Sequence, residues 1–322
     1  MKKISINNVP LAIKDYYCCP CENDFDTTEG ADYLLQDDPG VWLYINVTSK
    51  CNAACPFCVN EDRDLTDNVD LVKYQNAMKI AAPYVSGVSF TGGEPMIAPP
   101  FLDTLIGLAD TIFDKSIEFD MVTNGTNLEM LPSLVALSRL STIHISRHAV
   151  DDEVNRRIMM WDDAPGWDSI RQIVSNLSDP GSIVLNCVLQ KGGVQNIGDV
   201  CAYLDKAIDA GIRNTSFITM MPANSYCIDN YISPDEFAVI TEDQVKSFND
   251  THDSKITIWN RMRDHDYCRC FSGSYESASG RTRFYFRCPG DDRKKDYCRQ
   301  FVYTADNSLQ DGFGNKSTCI FR

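Results

Sequence analysis

The sequence predicts an α/β protein, a partial (β/α)6 barrel followed by a small cysteine-rich C-terminal domain. Three observations carry this. Strand-like runs rich in aromatic and β-branched residues alternate with helical patterns six times between about Val41 and Pro222. Units of this kind in series favour parallel strands with right-handed crossovers, and the span is too short for the roughly 250 residues of a full eight-unit barrel. Finally, Cys268, Cys270, Cys288, Cys298 and Cys319 crowd the last fifth of the chain.

The elements follow in order. Val41–Val47 reads as the first strand, and a helix from about Asp67 to Ala82 stops at Pro83. Val85–Phe90 is the second strand. Pro100–Phe113 repeats Phe101, Leu105, Leu108 and Ile112 at helical spacing, with proline near its start. Ile117–Val122 alternates as the third strand, Leu128–Leu140 is helical, and Thr142–Ser146 is the fourth strand. Trp167–Leu177 is a helix ending before Asp179-Pro180-Gly181. Ile183–Val188 is the fifth strand, Val200–Ala210 a helix closed by Gly211, and Thr215–Thr219 the sixth strand. One more helix covers Ser233–Asn249. The division expected is an N-terminal extension (1–35) without clear periodicity, the barrel (36–232) and the C-terminal domain (233–322).

Composition bounds the function. The chain has 322 residues, with 30 Lys and Arg against 45 Asp and Glu, a formal net charge of −15. Phosphate contacts need a basic face, so nucleic-acid binding is not expected. No apolar run approaches the ~18–20 residues of a membrane span, and no apolar signal core follows Met1-Lys2-Lys3. The expectation is a soluble, cytoplasmic protein without a membrane partner. Fourteen cysteines are abnormal for such a protein. A reducing compartment disfavours disulfides, so clustered thiols there point to metal or iron–sulfur ligation.

The densest cluster begins just after the first strand. Cys51-Asn52-Ala53-Ala54-Cys55-Pro56-Phe57-Cys58 has the spacing C-x3-C-x2-C. Three thiolates can hold three irons of a cubane and leave the fourth open to a small molecule. A zinc knuckle is the alternative, but no matching Cys or His pair sits close in sequence to close a tetrahedron.

This motif, with an aromatic residue before its last cysteine, resembles the radical S-adenosylmethionine (radical SAM) superfamily in its MoaA-like, SPASM/twitch branch. The resemblance spans about Val41 to Pro222. Thr91-Gly92-Gly93-Glu94-Pro95 follows the second strand and matches the family's GGE motif. Thr123-Asn124-Gly125 follows the third strand, Ser146-Arg147-His148 ends the fourth, Asn186 lies late in the fifth, and Met220-Met221-Pro222 ends the sixth. Each falls at a strand's carboxyl end, where parallel barrels carry their chemistry.

The resemblance implies the following roles. Cys51, Cys55 and Cys58 bind a [4Fe–4S] cluster whose open iron chelates S-adenosylmethionine (SAM). Phe57, Gly92, Gly93, Glu94, Thr123, Asn124, Ser146 and Asn186 line the cofactor. Glu94 suits the ammonium of SAM, since an ionised carboxylate only accepts hydrogen bonds. The glycines let backbone approach a ligand. Reductive cleavage of SAM gives a 5′-deoxyadenosyl radical that takes a hydrogen atom from substrate. An external electron donor such as flavodoxin or ferredoxin supplies the electron.

Two further residues are candidates for catalysis. Arg147 is suited to clamp a carboxylate or phosphate, or to hold SAM itself. Cys227, in the loop after the sixth strand, could donate a hydrogen atom to a substrate radical. The alternatives are a plain loop thiol or a ligand of another cluster. His148 could serve as acid or base. If Asn186 points into the barrel, alternation turns Cys187 outward as a core thiol. The C-terminal cysteines resemble an auxiliary-cluster extension: Cys268, Cys270, Cys288 and Cys298 would hold a second [4Fe–4S] cluster, with Cys319 able to replace one and zinc the competitor. Cys18-Cys19-Pro20-Cys21 has no assigned role.

The function expected is a radical SAM oxidoreductase or tailoring enzyme acting on an unactivated C–H bond of a small metabolite or natural-product precursor. One alternative is a maturase that crosslinks or epimerises a ribosomally made peptide. Another is a non-enzymatic iron–sulfur or zinc protein, which would have no need of the GGE motif and its companions.

Overall fold

The computed structural model describes residues 2–13, 41–59, 69–177, 179, 182–221, 224–237, 241–261, 271–287, 298, 300–313 and 317–322. The chain opens with a hairpin, β1 (Lys2–Ile6) and β2 (Val9–Ile13). Asn7 and Asn8 turn it at φ 49° and 67°, the left-handed pair that a two-residue hairpin loop requires and asparagine tolerates. The Asn-Asn dipeptide was the available signal in a stretch that otherwise reads as aperiodic.

Six βα units then follow as expected: β3 (Val41–Thr48), α1 (Leu71–Ala81), β4 (Val85–Gly92), α2 (Pro99–Asp110), β5 (Glu118–Thr123), β6 (Thr142–Ser146), α3 (Asp152–Met159), α4 (Trp167–Asn176), β7 (Ile183–Leu189), α5 (Ile197–Asp209) and β8 (Asn214–Thr219). Strands β3 to β8 pair in chain order, all parallel. Caps set the helix starts. Asp70 accepts from the backbone N–H groups of Val72 and Lys73 before α1, and Asn196 from that of Asp199 before α5. Asp151 caps α3 by accepting from the backbone N–H of Val154. The helix expected over Leu128–Leu140 is instead two 3-10 segments, Leu128–Ser133 and Val135–Arg139. Pro132 lies in the first, where it lacks the N–H that a continuous helix needs.

The C-terminal region departs most from expectation. Short α6 (Ser225–Asp229) and α7 (Glu242–Thr251) lead into β9 (Lys255–Arg261), β10 (Phe271–Ser277), β11 (Gly280–Arg287), β12 (Gln300–Tyr303), β13 (Leu309–Gln310) and β14 (Cys319–Phe321). The single helix expected over Ser233–Asn249 is a 3-10 turn at Pro234–Phe237 and then α7, started by a Thr241–Gln244 capping box. These strands do not make a sheet of their own. β11 runs parallel to β8 and β12 parallel to β3, giving one twelve-stranded sheet in the order β14-β13-β12-β3-β4-β5-β6-β7-β8-β11-β10-β9. A six-strand open barrel leaves both outer backbones unpaired, and the C-terminal chain covers each. An aromatic cluster fixes one junction: the Phe286 ring lies 5.2 Å from Phe217 of β8, 5.1 Å from Phe237 and 4.6 Å from Phe271.

Alternation along the strands separates two faces. Leu43, Ile45 and Val47 of β3, Phe90 of β4, Phe119 and Met121 of β5, Ile145 of β6 and Leu185 of β7 are wholly buried on the helix side. Cys187 is among them, as alternation requires, and burial pushes its thiol far above the usual range. The other face carries Trp42, Tyr44, Ser89, Asp120, His144, Asn186 and Ser216. At Gly87 an added Cβ would strike the Trp42 ring at 2.2 Å, so glycine lets the indole lie across this face.

Candidate functional site

The loop bearing Cys51, Cys55 and Cys58 leaves the carboxyl end of β3 and is gripped from three sides. The Gly92–Glu94 segment is zipped along its first residues: Gly93 N–H donates to Thr48 O at 2.7 Å and Glu94 N–H to Lys50 O at 2.8 Å. Gly92 sits at φ 121°, and a Cβ on Gly93 would lie 1.8 Å from Lys50 O. The glycine pair is therefore required by close approach to the cysteine loop. On the second side, Met159 O at the end of α3 accepts from Ala54 N–H at 3.0 Å and from the Cys55 thiol at 3.7 Å. On the third, Asn224 Nδ2 donates to Pro56 O at 2.9 Å, and the Cys227 thiol points at Phe57 O at 3.9 Å.

The three cysteines are half-buried free thiols. Among the described residues no three His, Cys, Asp or Glu side chains converge on a single-ion position. Each thiolate of a cubane binds its own iron, so a cluster asks for no such convergence.

Glu94 is 1% exposed and joins the loop to β5. Its Oε1 accepts from Met96 N–H at 2.8 Å and Thr123 Oγ1 at 2.6 Å, and its Oε2 from Asn124 N–H at 2.6 Å. Burial pushes its pKa up to about 7 against the pull of these three donors. Asn124 is held in one orientation, because Oδ1 takes the N–H of Thr126 at 2.9 Å. Nδ2 then faces Asn52 Oδ1 at 2.8 Å and Cys51 Sγ at 3.7 Å. The Asn124 side chain is thus directed at the cysteine loop.

The pair after β6 is buried. Arg147 is 0% exposed. Its guanidinium donates to Asp152 Oδ1 at 2.5 Å, Val150 O at 3.2 Å and Pro165 O at 3.1 Å, and lies 4.1 Å from the Trp167 ring centre. This engages the group with the start of α3 and the approach to α4, where the sequence offered a carboxylate or phosphate clamp or a hold on SAM. His148 packs its ring edge-on to Phe57 at 4.8 Å, and its Nδ1 accepts Val188 N–H at 3.1 Å. That bond places the ring proton on Nε2. Desolvation and neighbouring Arg147 lower its pKa to about 3, so the ring is a neutral support for Phe57 near pH 7. Cys227, 1% exposed, lies under the cysteine loop with its thiol engaged by Phe57 O. Ser146 ends β6 and pairs in register with Asn186, which lies midway along β7.

Several contributors were not foreseen. Met159 and Asn52 hold the cysteine loop, and Thr126 orients Asn124. Asp120 and His144 stand on the sheet face beside Asn186. Polar residues at strand positions where an apolar one would normally fill a barrel were the signal for the last two. Of the second cysteine group, Cys268, Cys270 and Cys288 lie outside the described residues, as do Cys18, Cys19 and Cys21. Cys298 is buried where it bridges to Ile13, with its thiol 3.2 Å from Gln300 O and 3.5 Å from Asp311 O. Cys319 is exposed on β14.

Residues 45–228, more than half of the chain, match the family described as Radical SAM superfamily. The chain belongs to that superfamily. Membership implies a [4Fe–4S] cluster and SAM. A probable GTP 3′,8-cyclase of Thermococcus kodakarensis is 28% identical over 176 residues, covering 52% of this chain and 53% of that protein. Molybdenum cofactor biosynthesis protein 1 of Dictyostelium discoideum is 23% identical over 294 residues, covering 87% of this chain and 42% of that one. The chain spans about half the length of the curated relatives it matches. SuiB of Streptococcus suis bound to S-adenosylmethionine superposes with a TM-score of 0.55 at 15% identity, covering 89% of this chain and 64% of that one. At that identity the likeness is one of fold. No helix among the described residues of this radical SAM protein is long and apolar enough to cross a membrane.

Proposed function

We infer that this radical SAM protein is an enzyme that cleaves SAM reductively and uses the resulting radical to take a hydrogen atom from a small molecule. The observation that carries the reading is the joining of the cysteine loop to the GGE segment through Gly93, Glu94 and Asn124. A mere electron carrier needs the thiols but has no use for a buried carboxylate locked beside them.

Cys51, Cys55 and Cys58 would hold the cluster, with the side-chain Nδ2 of Asn124 directed at one ligand sulfur. When bound, the cluster and SAM together supply a 5′-deoxyadenosyl radical. Glu94 would accept the ammonium of SAM with a lone pair not already taken by its three donors. That contact also offsets the burial of the carboxylate. Thr123 and Asn124 orient Glu94, Phe57 is braced by His148, and Ser146 at the end of β6, with Asn186 in register beside it, would face the nucleoside. Arg147 and Cys227 act as positioning residues, Arg147 through α3 and Cys227 through Phe57 O. An external one-electron donor completes the cycle, and Cys298 with Cys268, Cys270 and Cys288 remains the proposed set for a second cluster.

A peptide maturase is the second reading. What favours it is the fold likeness to SuiB bound to its precursor peptide SuiA, with a TM-score of 0.51 at 14% identity. The test is anaerobic reconstitution followed by SAM and dithionite. Formation of 5′-deoxyadenosine, abolished by Cys55→Ala and strongly reduced by Glu94→Ala, supports the enzyme. An intact cluster that never cleaves SAM would leave only the carrier.

A further inference from the structure

The sheet face opposite the helices carries a continuous polar row where a barrel of this kind normally packs Val, Ile and Leu. Ser89 of β4 stands in register with Asp120 of β5, and Asn186 of β7 with Ser216 of β8. His144 of β6 links the two pairs. Its Nε2 is 3.6 Å from Asp120 Oδ2, and its Nδ1 is 3.2 Å from Asn186 Oδ1. Between β5 and β7 the row climbs one rung per strand: Val122, not Asp120, pairs with His144, and Ser146, not His144, pairs with Asn186. This is the stagger by which tilted strands bring side chains to one level.

The row is enclosed and short of partners. Ser89 is 1% exposed, Asp120 8%, His144 4% and Ser216 0%. Among the described residues, Ser89 Oγ, Asp120 Oδ1 and Ser216 Oγ have no hydrogen-bond partner, although each is buried. Native interiors leave few such atoms, and several on one surface mark a place where water or a ligand completes the bonding. The missing partner of an ionised carboxylate oxygen must be a donor. Among the described residues, the strand arginines of this face, Arg281, Arg283 and Arg287, sit on β11, four strand spacings or about 19 Å along the sheet from Asp120.

We propose that Ser89, Asp120, His144, Asn186 and Ser216 form the substrate-binding wall of the concave face, and that it takes a small molecule presenting an ammonium or hydroxyl group to Asp120 Oδ1. This rests on the radical SAM reading above and deepens it. His144 stands beside the other Asp120 oxygen, and Asn186 stands beside His144. A substrate that offers only acceptors, such as a carboxylate or phosphate end, is turned away from this part of the wall.

The experiment uses the full chain carrying cluster and SAM. Saturation-transfer NMR is recorded with glucosamine, which offers an ammonium and hydroxyls, and with succinate, which offers acceptors only. Wild-type protein should saturate glucosamine and not succinate, and Asp120→Asn should weaken the glucosamine signal at least fivefold. Ser89→Ala combined with Ser216→Ala, which adds no bulk or charge, should weaken it about threefold and keeps the test open if Asp120→Asn does not fold. No saturation of glucosamine by wild type, equal saturation of succinate, or unaltered saturation in the variants would overturn the proposal. Formation of 5′-deoxyadenosine is measured in the same samples. Its absence defeats the radical reading, whereas its presence without glucosamine binding defeats the substrate wall alone.

Discussion

The side-chain amide of Asn124 donates an N–H toward Sγ of Cys51 across 3.7 Å, and the backbone N–H of Thr126 on its carbonyl oxygen prevents the amide from turning over. A donor on a ligand sulfur withdraws electron density and favours the reduced cluster. Asn124→Ala should therefore make the cluster harder to reduce. The expected change is about a tenfold lower ratio of reduced to oxidised cluster at fixed poise, or about 59 mV for a one-electron couple. EPR-monitored redox titration reads it, with iron content as the control for cluster loss. An unmoved potential at full iron loading would remove this role.

Glu94 gives a pH signature. Its folded-state pKa, about 7, lies above the ordinary 4.5 because burial outweighs its donors. A raised carboxyl pKa contributes stability that is full below the unfolded value and is lost as pH rises through the folded one. Between pH 4.5 and about 7 the cluster-free protein should lose about 3 kcal/mol from this group. Urea unfolding of wild type and Glu94→Gln should show a pH slope in the first that is smaller in the second. If the two slopes coincide, Glu94 does not titrate in this range. SAM binding to the loaded protein should tighten as pH rises through 7, since the ammonium needs the ionised form.

The Arg147–Asp152 pair should behave as structure. Arg147 is wholly buried, while the Asp152 side chain is 39% exposed. Removing the carboxylate leaves a buried guanidinium facing only carbonyl groups and the Trp167 ring. Asp152→Ala should cost about 3 kcal/mol in urea unfolding. Arg147→Met with Asp152→Leu should recover part of that loss. Full stability in Asp152→Ala would contradict the assignment.

Gly93→Ala tests the junction of the two motifs. The new methyl would meet Lys50 O, a backbone atom with no rotamer to escape into. The cysteine loop must then move. Reconstituted Gly93→Ala should retain several-fold less iron than wild type, while Gly107→Ala, where a Cβ meets nothing within 4 Å, should retain the same amount. Equal iron in both variants would mean that the loop tolerates the displacement.

The cysteine spacing, the Gly92-Gly93-Glu94 segment and the order of the six βα units were legible in the sequence because each rests on local rules. Strand alternation even placed Cys187 on the helix side. The 3-10 break at Pro132 and the Asn7-Asn8 hairpin were legible in principle from proline and asparagine chemistry. The surroundings of Arg147 were not legible, because its residue type suits both a substrate clamp and a buried brace. Only the positions of Asp152, Val150, Pro165 and Trp167 around it separate the two.

The sequence alone determined which side chains the strand ends carry, since period-two alternation and a short motif are properties of neighbouring residues. It also determined that the chain is a radical SAM protein. Tertiary structure decided what those side chains face. Register and stagger brought Asp120, His144 and Asn186 into one row from three separate strands. Pairing of β11 with β8 and β12 with β3 joined the C-terminal strands to the edges of the same sheet. These outcomes depend on backbone hydrogen bonds between segments far apart in the chain, and no local spacing encodes them.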